Sequence, residues 1–274
     1  MAGMLEALIF LSVALTLLAG GLALWRLVRG PVRRWGVAGR AAALGVLIAP
    51  AMLFATWKLG NSRSVQLFGG IIDRVETSAP VVALTFDDGP TAQFTSEVLD
   101  LLDQRQVQAT FFVVGRALER DLEVGRQIVA AGHELGNHTY SHTRLVFQPL
   151  PLIRQEIERT DELIRQAGHQ GEIYFRPPNG KKLILLPYYL AATGRRTATW
   201  SVAPESAPYE ADVIVARVLD QVRPGSIVLL HVMYESRAES RAALPGIIDG
   251  LRERGYRFVT LSELLGDEAE RAPD

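Results

Sequence analysis

The side chains most able to do chemistry lie in four short stretches of this sequence. Two adjacent carboxylates, Asp87 and Asp88, directly follow an apolar run, and two histidines, His138 and His142, stand four positions apart. Adjacent acids repel each other unless a cation lies beside them, and a metal ion or an arginine would serve. The alternative for the acids is a plain turn, because Asp-Gly-Pro has good turn chemistry.

The spacing of the histidines favours a metal site. Residues four apart lie on one side of a helical turn, so His138 and His142 would present both imidazoles to one ion. With one aspartate from another strand end they form an Asp-His-His set that leaves a position for water, which is typical of a catalytic metal. The chain has no cysteine, so thiolate ligands and disulfides are excluded. A lone histidine pair would more often belong to a surface or a helix cap.

Alternating strand-like and helix-like segments position these residues. A short apolar, β-branched run at 81–86 reads as a buried strand, and strand-like runs recur at 109–114, 133–137, 173–176, 197–202, 226–231 and 256–260. Stretches with helical periodicity separate them, such as 152–168. The pattern predicts an α/β fold of about seven parallel strands, closed or nearly closed into a barrel. In such barrels reactive side chains stand at the carboxyl ends of strands, where this sequence places Asp87, Asp88, His138, His142, Arg176 and His231.

The first sixty residues have a different composition, which predicts a transmembrane helical hairpin at 1–60. Uncharged runs at 7–25 and 41–57 flank a loop with five arginines and no acid, and the positive-inside bias places that loop in the cytoplasm. A linker at 61–80 and a catalytic domain at 81–274 follow, on the extracytoplasmic side of the cell membrane. A cleaved signal peptide is the alternative for the first run. If the second run does not span, the catalytic domain faces the cytoplasm.

The charge balance disfavours nucleic acid as a partner. The 29 basic and 30 acidic residues give a formal net charge of -1, so no overall field draws the chain to a polyanion. Nothing in the sequence indicates the oligomeric state.

The four reactive stretches resemble the ordered motifs of polysaccharide deacetylases. They read TFDDGP at 85–90, HTYSH at 138–142, RPPNG at 176–180 and LLH at 229–231. These enzymes form carbohydrate esterase family 4, the family of the nodulation-type chitooligosaccharide deacetylase homology domain. It includes chitin, chitooligosaccharide and peptidoglycan N-acetylglucosamine deacetylases. The resemblance covers 81–265 and implies a distorted (β/α) barrel, a glycan substrate and a divalent metal ion, usually Zn²⁺.

The resemblance also implies a role for each residue. The metal ligands are Asp88, His138 and His142, and Asp87 is the general base. Arg176 pairs with Asp87 and keeps it ionised, as a guanidinium does for a neighbouring carboxylate.

Two further roles come with departures from the family pattern. His231 is implied as the general acid, and the backbone N–H of Asn179 as the donor to the oxyanion, at a place where the family commonly has an aromatic residue. The family also carries acids near positions that here are Ala203 and Ser206. Glu205 would replace them only if its loop turns differently, and without a replacement the pKa of His231 would be lower.

The leading functional hypothesis is metal-dependent hydrolysis of N-acetyl groups from N-acetylhexosamine residues of a polysaccharide, either peptidoglycan, a chitin-like chain or a surface glycan. One alternative is a slow or inactive carbohydrate-binding or regulatory protein that retains the metal, motivated by Asn179, Ala203 and Ser206. Another is a hydrolase of a small linear or cyclic amide.

Overall fold

The computed structural model of the protein describes residues 37–269. The chain divides into two compact units, Met1–Asn61 and Ser62–Asp274. In the first unit the described residues form one helix, α1 (Val37–Asn61), which has Pro50 inside it and Lys58 in its last turn.

The structure does not support the transmembrane hairpin predicted for 1–60. Its first predicted span, 7–25, lies outside the described residues. Its second, 41–57, falls within α1, and across residues 37–269 no helix combines the length and the apolar character that a membrane crossing needs. Pro50 removes a backbone hydrogen bond inside α1, and Lys58 puts a charge in its last turn; both features weaken α1 as a spanning helix.

The second unit alternates short strands with helices. Its strands are β1 (Ile71–Ile72), β2 (Val81–Gly89), β3 (Thr110–Val113), β4 (Glu134–Asn137), β5 (Thr197–Ala198), β6 (Ser226–Leu230) and β7 (Arg257–Val259). Its helices are α2 (Ala92–Gln104), α3 (Gly115–Arg120), α4 (Leu122–Ala130), α5 (Leu150–Gln166), α6 (Leu185–Ala192), α7 (Ala211–Gln221), α8 (Ala238–Glu253) and α9 (Leu261–Ala269).

The strands run parallel to one another in a barrel-like sheet, and β2 pairs with more strands than any other. This strand pairs with β6 along one edge and with β3 and β7 along the other, and β4 continues from β3. Single-residue bridges complete the ring: Asn137 with Phe175, Phe175 with Thr197, and Val202 with Val228. The α/β fold and parallel sheet are consistent with the expected distorted barrel, although the predicted strand at 173–176 is reduced to one bridging residue.

Burial on both faces explains why β2 reads as an unbroken apolar run. All of its residues except Asp88 are buried, as expected for a parallel strand covered by helices. α5 packs its apolar side onto this barrel through Ile153, Ile157 and Ile164. Full burial of each such side chain stabilises the folded state by about 1.5–3 kcal/mol. The strand ends that carry the reactive residues are therefore held on a well-packed support.

Candidate metal centre and catalytic site

A β-bulge at the end of β2 turns both acids toward the same place. Asp87 pairs with Phe112 and Gly89 with Val113, so Asp88 is an extra residue in the ladder, with a φ of 73°. Consecutive side chains of a regular strand point to opposite faces, whereas a bulge can re-aim one of them. As a result the carboxylates of Asp87 and Asp88 lie 3.6 Å and 3.5 Å from Nε2 of His138.

The two histidines come from an irregular loop after β4. Thr139 and His142 have positive φ values of 67° and 61°, so the helical turn expected from the i,i+4 spacing is wrong. The loop nevertheless brings the imidazoles of His138 and His142 together, with ring centroids 5.0 Å apart.

Side chains that the sequence analysis did not single out hold this loop in place. Asn137 donates to the Asp161 carboxylate at 2.6 Å and accepts from the backbone N–H of Thr139 at 2.8 Å. Ser141 donates to Glu156 from both its backbone N–H and its hydroxyl, each at 2.8 Å. These bonds replace the missing secondary structure and fix the two imidazoles.

Asp88, His138 and His142 form a cluster of candidate metal ligands. One ligand atom from each lies within 4.8 Å of the others. Oδ1 of Asp88 is 3.5 Å from Nε2 of His138 and 3.0 Å from Nε2 of His142. Nδ1 of His138 donates to the carbonyl oxygen of Arg176 at 2.8 Å, so Nε2 is the ring nitrogen that faces Asp88.

This donor set fits a divalent cation. Oδ1 of Asp88 is buried, and although Nε2 of His142 lies 3.0 Å away, no group within residues 37–269 meets it with hydrogen-bond geometry, a costly state unless a cation neutralises it. Two imidazoles and one carboxylate also match the ligand count of catalytic zinc sites. Burial raises the pKa of Asp88, but His138 and His142 lower it by more, so this pKa lies well below its usual range and the carboxylate is ionised near neutral pH.

Arg176 is completely buried and orients Asp87. Its Nη1 donates to Oδ1 of Asp87 at 2.6 Å and to the Thr85 hydroxyl at 2.9 Å, and Nη2 donates to the Thr199 carbonyl at 2.9 Å. The guanidinium also lies 3.8 Å above the Phe112 ring. A buried charge is tolerated when it is paired and hydrogen-bonded, and here the pairing fixes one carboxylate oxygen of Asp87.

Glu205 provides the carboxylate next to His231 that Ala203 and Ser206 lack. Its Oε2 lies 2.5 Å from Nδ1 of His231, and its Oε1 accepts from the His231 backbone N–H at 2.9 Å and from the Ser240 hydroxyl at 2.5 Å. The loop after β5 therefore turns so that Glu205 reaches the histidine, although Ala203 and Ser206 do not provide a carboxylate.

His231 joins the same site from the end of β6. Its Nε2 is 3.7 Å from Oδ2 of Asp88, on the ring edge opposite Glu205. Burial lowers the pKa of His231, but the hydrogen bond that its Nδ1–H donates to Glu205 and the nearby aspartates raise it by more, so the net pKa is raised. An imidazole with a raised pKa stays protonated to higher pH.

Asn179 occupies a short 3₁₀ turn (Pro178–Gly180) that closely follows Arg176 in the chain. Its φ is 56°, a left-handed conformation that asparagine adopts more readily than an aromatic residue. Its side-chain oxygen accepts from Nε of Arg144 at 2.6 Å. The loop that carries His142 and the loop that follows Arg176 are thereby linked.

Tyr234 and Arg241 brace the loop after β6 across the site. The Tyr234 hydroxyl donates to the backbone carbonyl of Asp88 at 3.0 Å. Arg241 donates to the carbonyl oxygens of Val232 and Tyr234 at 2.9 Å and 2.5 Å. These contacts hold the loop after β6 in place.

Comparisons with known proteins agree with this geometry. A family model described as polysaccharide deacetylase matches residues 74–198. A peptidoglycan-N-acetylglucosamine deacetylase of Bacillus cereus is 33% identical over 206 residues, covering 74% of this chain and 96% of that protein. A chitooligosaccharide deacetylase of Sinorhizobium fredii is 37% identical over 205 residues, covering 70% and 95%. The crystal structure of the Bc1960 peptidoglycan N-acetylglucosamine deacetylase has 34% identity and a TM-score of 0.67, covering 70% of this chain and 91% of that one.

The chain belongs to the polysaccharide deacetylase family. It is a metal-dependent hydrolase of N-acetyl amide bonds in polysaccharides.

Proposed function

We propose that the protein removes acetyl groups from N-acetylglucosamine residues of a β-linked cell-wall glycan, either peptidoglycan or a chitin-like chain. The observation that carries this proposal is the meeting of Asp87 and His231 at the Asp88, His138 and His142 cluster. The choice of sugar is supported by the relatives, since N-acetylglucosamine is named for the Bacillus cereus protein and chitooligosaccharide for the Sinorhizobium fredii protein.

The three-residue cluster is the proposed metal site, with Zn²⁺ as the resident ion. Two imidazoles and one carboxylate are ligands that suit zinc. When bound, the ion supplies a Lewis acid that polarises the acetamide carbonyl and makes water easier to deprotonate.

Asp87 is the general base in this proposal. Its Oδ1 is held by Arg176 at 2.6 Å, whereas its Oδ2 faces the cluster, 3.6 Å from Nε2 of His138. One oxygen is thus fixed and the other takes a proton from the water that attacks the acetyl carbon. The backbone N–H of Asn179 donates to the carbonyl oxygen as negative charge develops on it.

His231 is the general acid. The C–N bond breaks as Nε2 of His231 transfers its proton to the sugar nitrogen, so the products are acetate and a free amine. Glu205 stabilises the imidazolium before this transfer through its contact with Nδ1 at 2.5 Å. The base and the acid therefore act from different strand ends, β2 and β6.

Action at the cell envelope, outside the cytoplasm, belongs to the same proposal. It is supported by the substrate class, because cell-wall glycan lies outside the cytoplasmic membrane. Protease treatment of intact spheroplasts should degrade the catalytic unit, and complete protection until lysis would place it inside.

Acetate release from defined substrates tests the proposed activity. The purified full chain, supplied with zinc, is compared on acetylated chitooligosaccharide, on peptidoglycan and on a panel of small linear and cyclic amides. We expect acetate from the glycans. A preference for a small amide would overturn the sugar assignment, and near-zero rates with intact glycan binding would favour a binding protein.

A further inference from the structure

Six large apolar side chains form an exposed patch on the catalytic unit, near the loop that carries Asn179. Each is 40–55% exposed, and none takes part in the proposed chemistry; they are Val65, Leu67, Phe68, Ile184, Leu185 and Tyr188. We call this surface the apolar patch. Contiguous apolar surface on a soluble domain commonly marks an interaction site.

Contacts between two chain segments make the patch one surface. The rings of Phe68 and Tyr188 meet edge to face, with centroids 5.7 Å apart. A Cβ added at Gly69 would lie 3.1 Å from a side chain of α6, so the first segment lies directly on that helix. Lys182 is buried and its ammonium group donates to the Ser62 carbonyl, which ties the start of one segment to the other.

Two cations border the apolar patch along the chain, and the acid nearest to α6 is Glu158, which accepts from the Tyr189 hydroxyl at 2.9 Å. No acidic residue occurs in 59–72 or in 173–204, the stretches that supply the patch. Arg63 and Lys181 flank the apolar side chains along the chain. Apolar side chains bordered by cations match the interface of a bilayer, where acyl chains lie beneath anionic headgroups.

The kind of apolar residue favours lipid over sugar. Val65, Leu67, Ile184 and Leu185 are aliphatic, whereas a sugar platform needs flat aromatic faces with polar neighbours. The chain also reaches the patch from an apolar stretch, because 41–57 carries no charged residue.

We propose that the apolar patch docks on the headgroup and upper acyl region of a bilayer rich in anionic lipid. The contact is interfacial and requires no helix to cross the membrane. It brings the Asn179 loop close to the lipid surface, since Lys181 follows that loop directly in the chain. The inference does not depend on which glycan is hydrolysed.

Site-specific fluorescence on the full chain tests this proposal. The chain has no cysteine, so Leu67→Cys and Glu253→Cys each offer one labelling position; Glu253 is an exposed control on α8. Each variant carries an environment-sensitive dye and is mixed with phosphatidylglycerol–phosphatidylcholine vesicles that contain a lipid-attached quencher. Retained acetate release shows that each labelled protein is folded.

The two positions distinguish docking by the patch from membrane binding by another part of the chain. We expect several-fold stronger quenching and a blue shift at position 67 only, both reduced by salt and in phosphatidylcholine alone. Equal quenching at both positions, or none at position 67, would overturn the proposal. A response at position 67 to soluble chitohexaose but not to vesicles would assign the patch to glycan instead.

Discussion

Two neighbouring aspartates reach one site in different environments because of one extra residue in β2. The bulge at Asp88 lets its carboxylate face the two imidazoles, while Asp87 remains in register and meets the buried guanidinium of Arg176. Asp88 is thereby suited to ligation and Asp87 to proton transfer. A regular strand would have turned one of the two away from the site.

Replacement of the base should separate catalysis from metal binding. We expect Asp87→Asn to lower kcat by about 10²–10⁴-fold, the usual cost of losing a general base, because the amide cannot take a proton. Metal content should stay near one ion per chain, since Asp88, His138 and His142 are unchanged. Steady-state kinetics and elemental analysis of the same samples check this.

The melting temperature of Asp87→Asn serves as its control. A modest decrease is expected, because Arg176 loses its charged partner but keeps the Thr85 and backbone acceptors. If the folded variant kept its full rate, Asp87 would not be the base.

The contact between Glu205 and His231 predicts a shift in the pH–rate profile. Glu205 raises the pKa of His231, and a general acid must be protonated to act, so activity is lost as pH rises through that pKa. Glu205→Gln should therefore move the alkaline limb of kcat to lower pH and reduce kcat at neutral pH, by less than the ~10²–10⁴-fold cost of losing the acid itself.

Ser240→Ala is the matched control for this pair. It removes one hydrogen bond to Glu205 but leaves the carboxylate, so its alkaline limb should move less. An alkaline limb at the wild-type position in Glu205→Gln would show that Glu205 does not tune the acid.

At the residue scale, most of the proposed site could be predicted from the sequence, whereas the position of Glu205 could not. Asp87, Asp88, His138, His142, Arg176 and His231 stand at strand ends or just beyond them, so the alternation of elements was enough to expect their convergence. Glu205 lies in the loop between β5 and α7, and no periodicity specifies the path of such a loop. The spacing of His138 and His142 correctly predicted that their rings lie close together, but the expected helical turn is wrong. An irregular loop with positive φ angles brings the rings together.

At the scale of elements, packing between β3 and β4 determines the surface against which the buried Arg176 lies. Gly136 in β4 lies against the ring of Phe112 in β3, and the guanidinium of Arg176 lies 3.8 Å from the centroid of that ring. A Cβ at Gly136 would come within 2.6 Å of the ring. The absence of a side chain at Gly136 therefore lets Phe112 support Arg176.

Gly136→Ala should be destabilising and should reduce activity. Overpacking of this kind costs about 1–3 kcal/mol, and displacement of Phe112 should disturb the Arg176–Asp87 pair. Denaturant unfolding and kcat are the measurements. Gly266→Ala is the control, because a Cβ there meets open space within α9 and should leave activity unchanged. Equal stability of the two variants would contradict this role of Gly136.

The barrel itself was only partly predictable from its elements. β2, β3, β4 and β6 are buried parallel strands, and all but β4, whose sequence is ELGN, contain apolar runs. On the far side the ring depends on single bridges at Phe175 and Val202, which leave almost no strand periodicity in the sequence. The hairpin predicted for 1–60 rested on two uncharged runs and the arginine-rich loop between them, and the structure does not support it.

At the scale of the whole molecule, a buried neutral histidine should make stability depend on pH. His133 lies at the start of β4, where its Nδ1 accepts from the Ala109 backbone N–H at 3.2 Å, and burial lowers its pKa to about 4. In the unfolded chain the pKa is about 6.5, so the unfolded state binds more protons between these values. Stability is then lost as pH falls from about 6.5 to about 4, by on the order of 3 kcal/mol.

His133→Asn isolates this contribution, because asparagine can accept the same hydrogen bond but does not titrate. Between pH 7 and pH 5 the variant should lose less of its free energy of unfolding than the wild type. Urea unfolding at both pH values checks it, and parallel losses in the two proteins would exclude His133 as the source.

The central claim is that Asp88, His138 and His142 together hold the divalent ion on which acetate release depends. The most direct test measures bound zinc and acetate release on the same samples of wild type and His142→Ala, after chelation and again after zinc is restored. We predict one zinc per wild-type chain, activity that is lost and regained with it, and metal affinity at least about 10-fold weaker in the variant. Full acetate release by metal-free wild type, or unchanged zinc affinity in His142→Ala, would contradict the account.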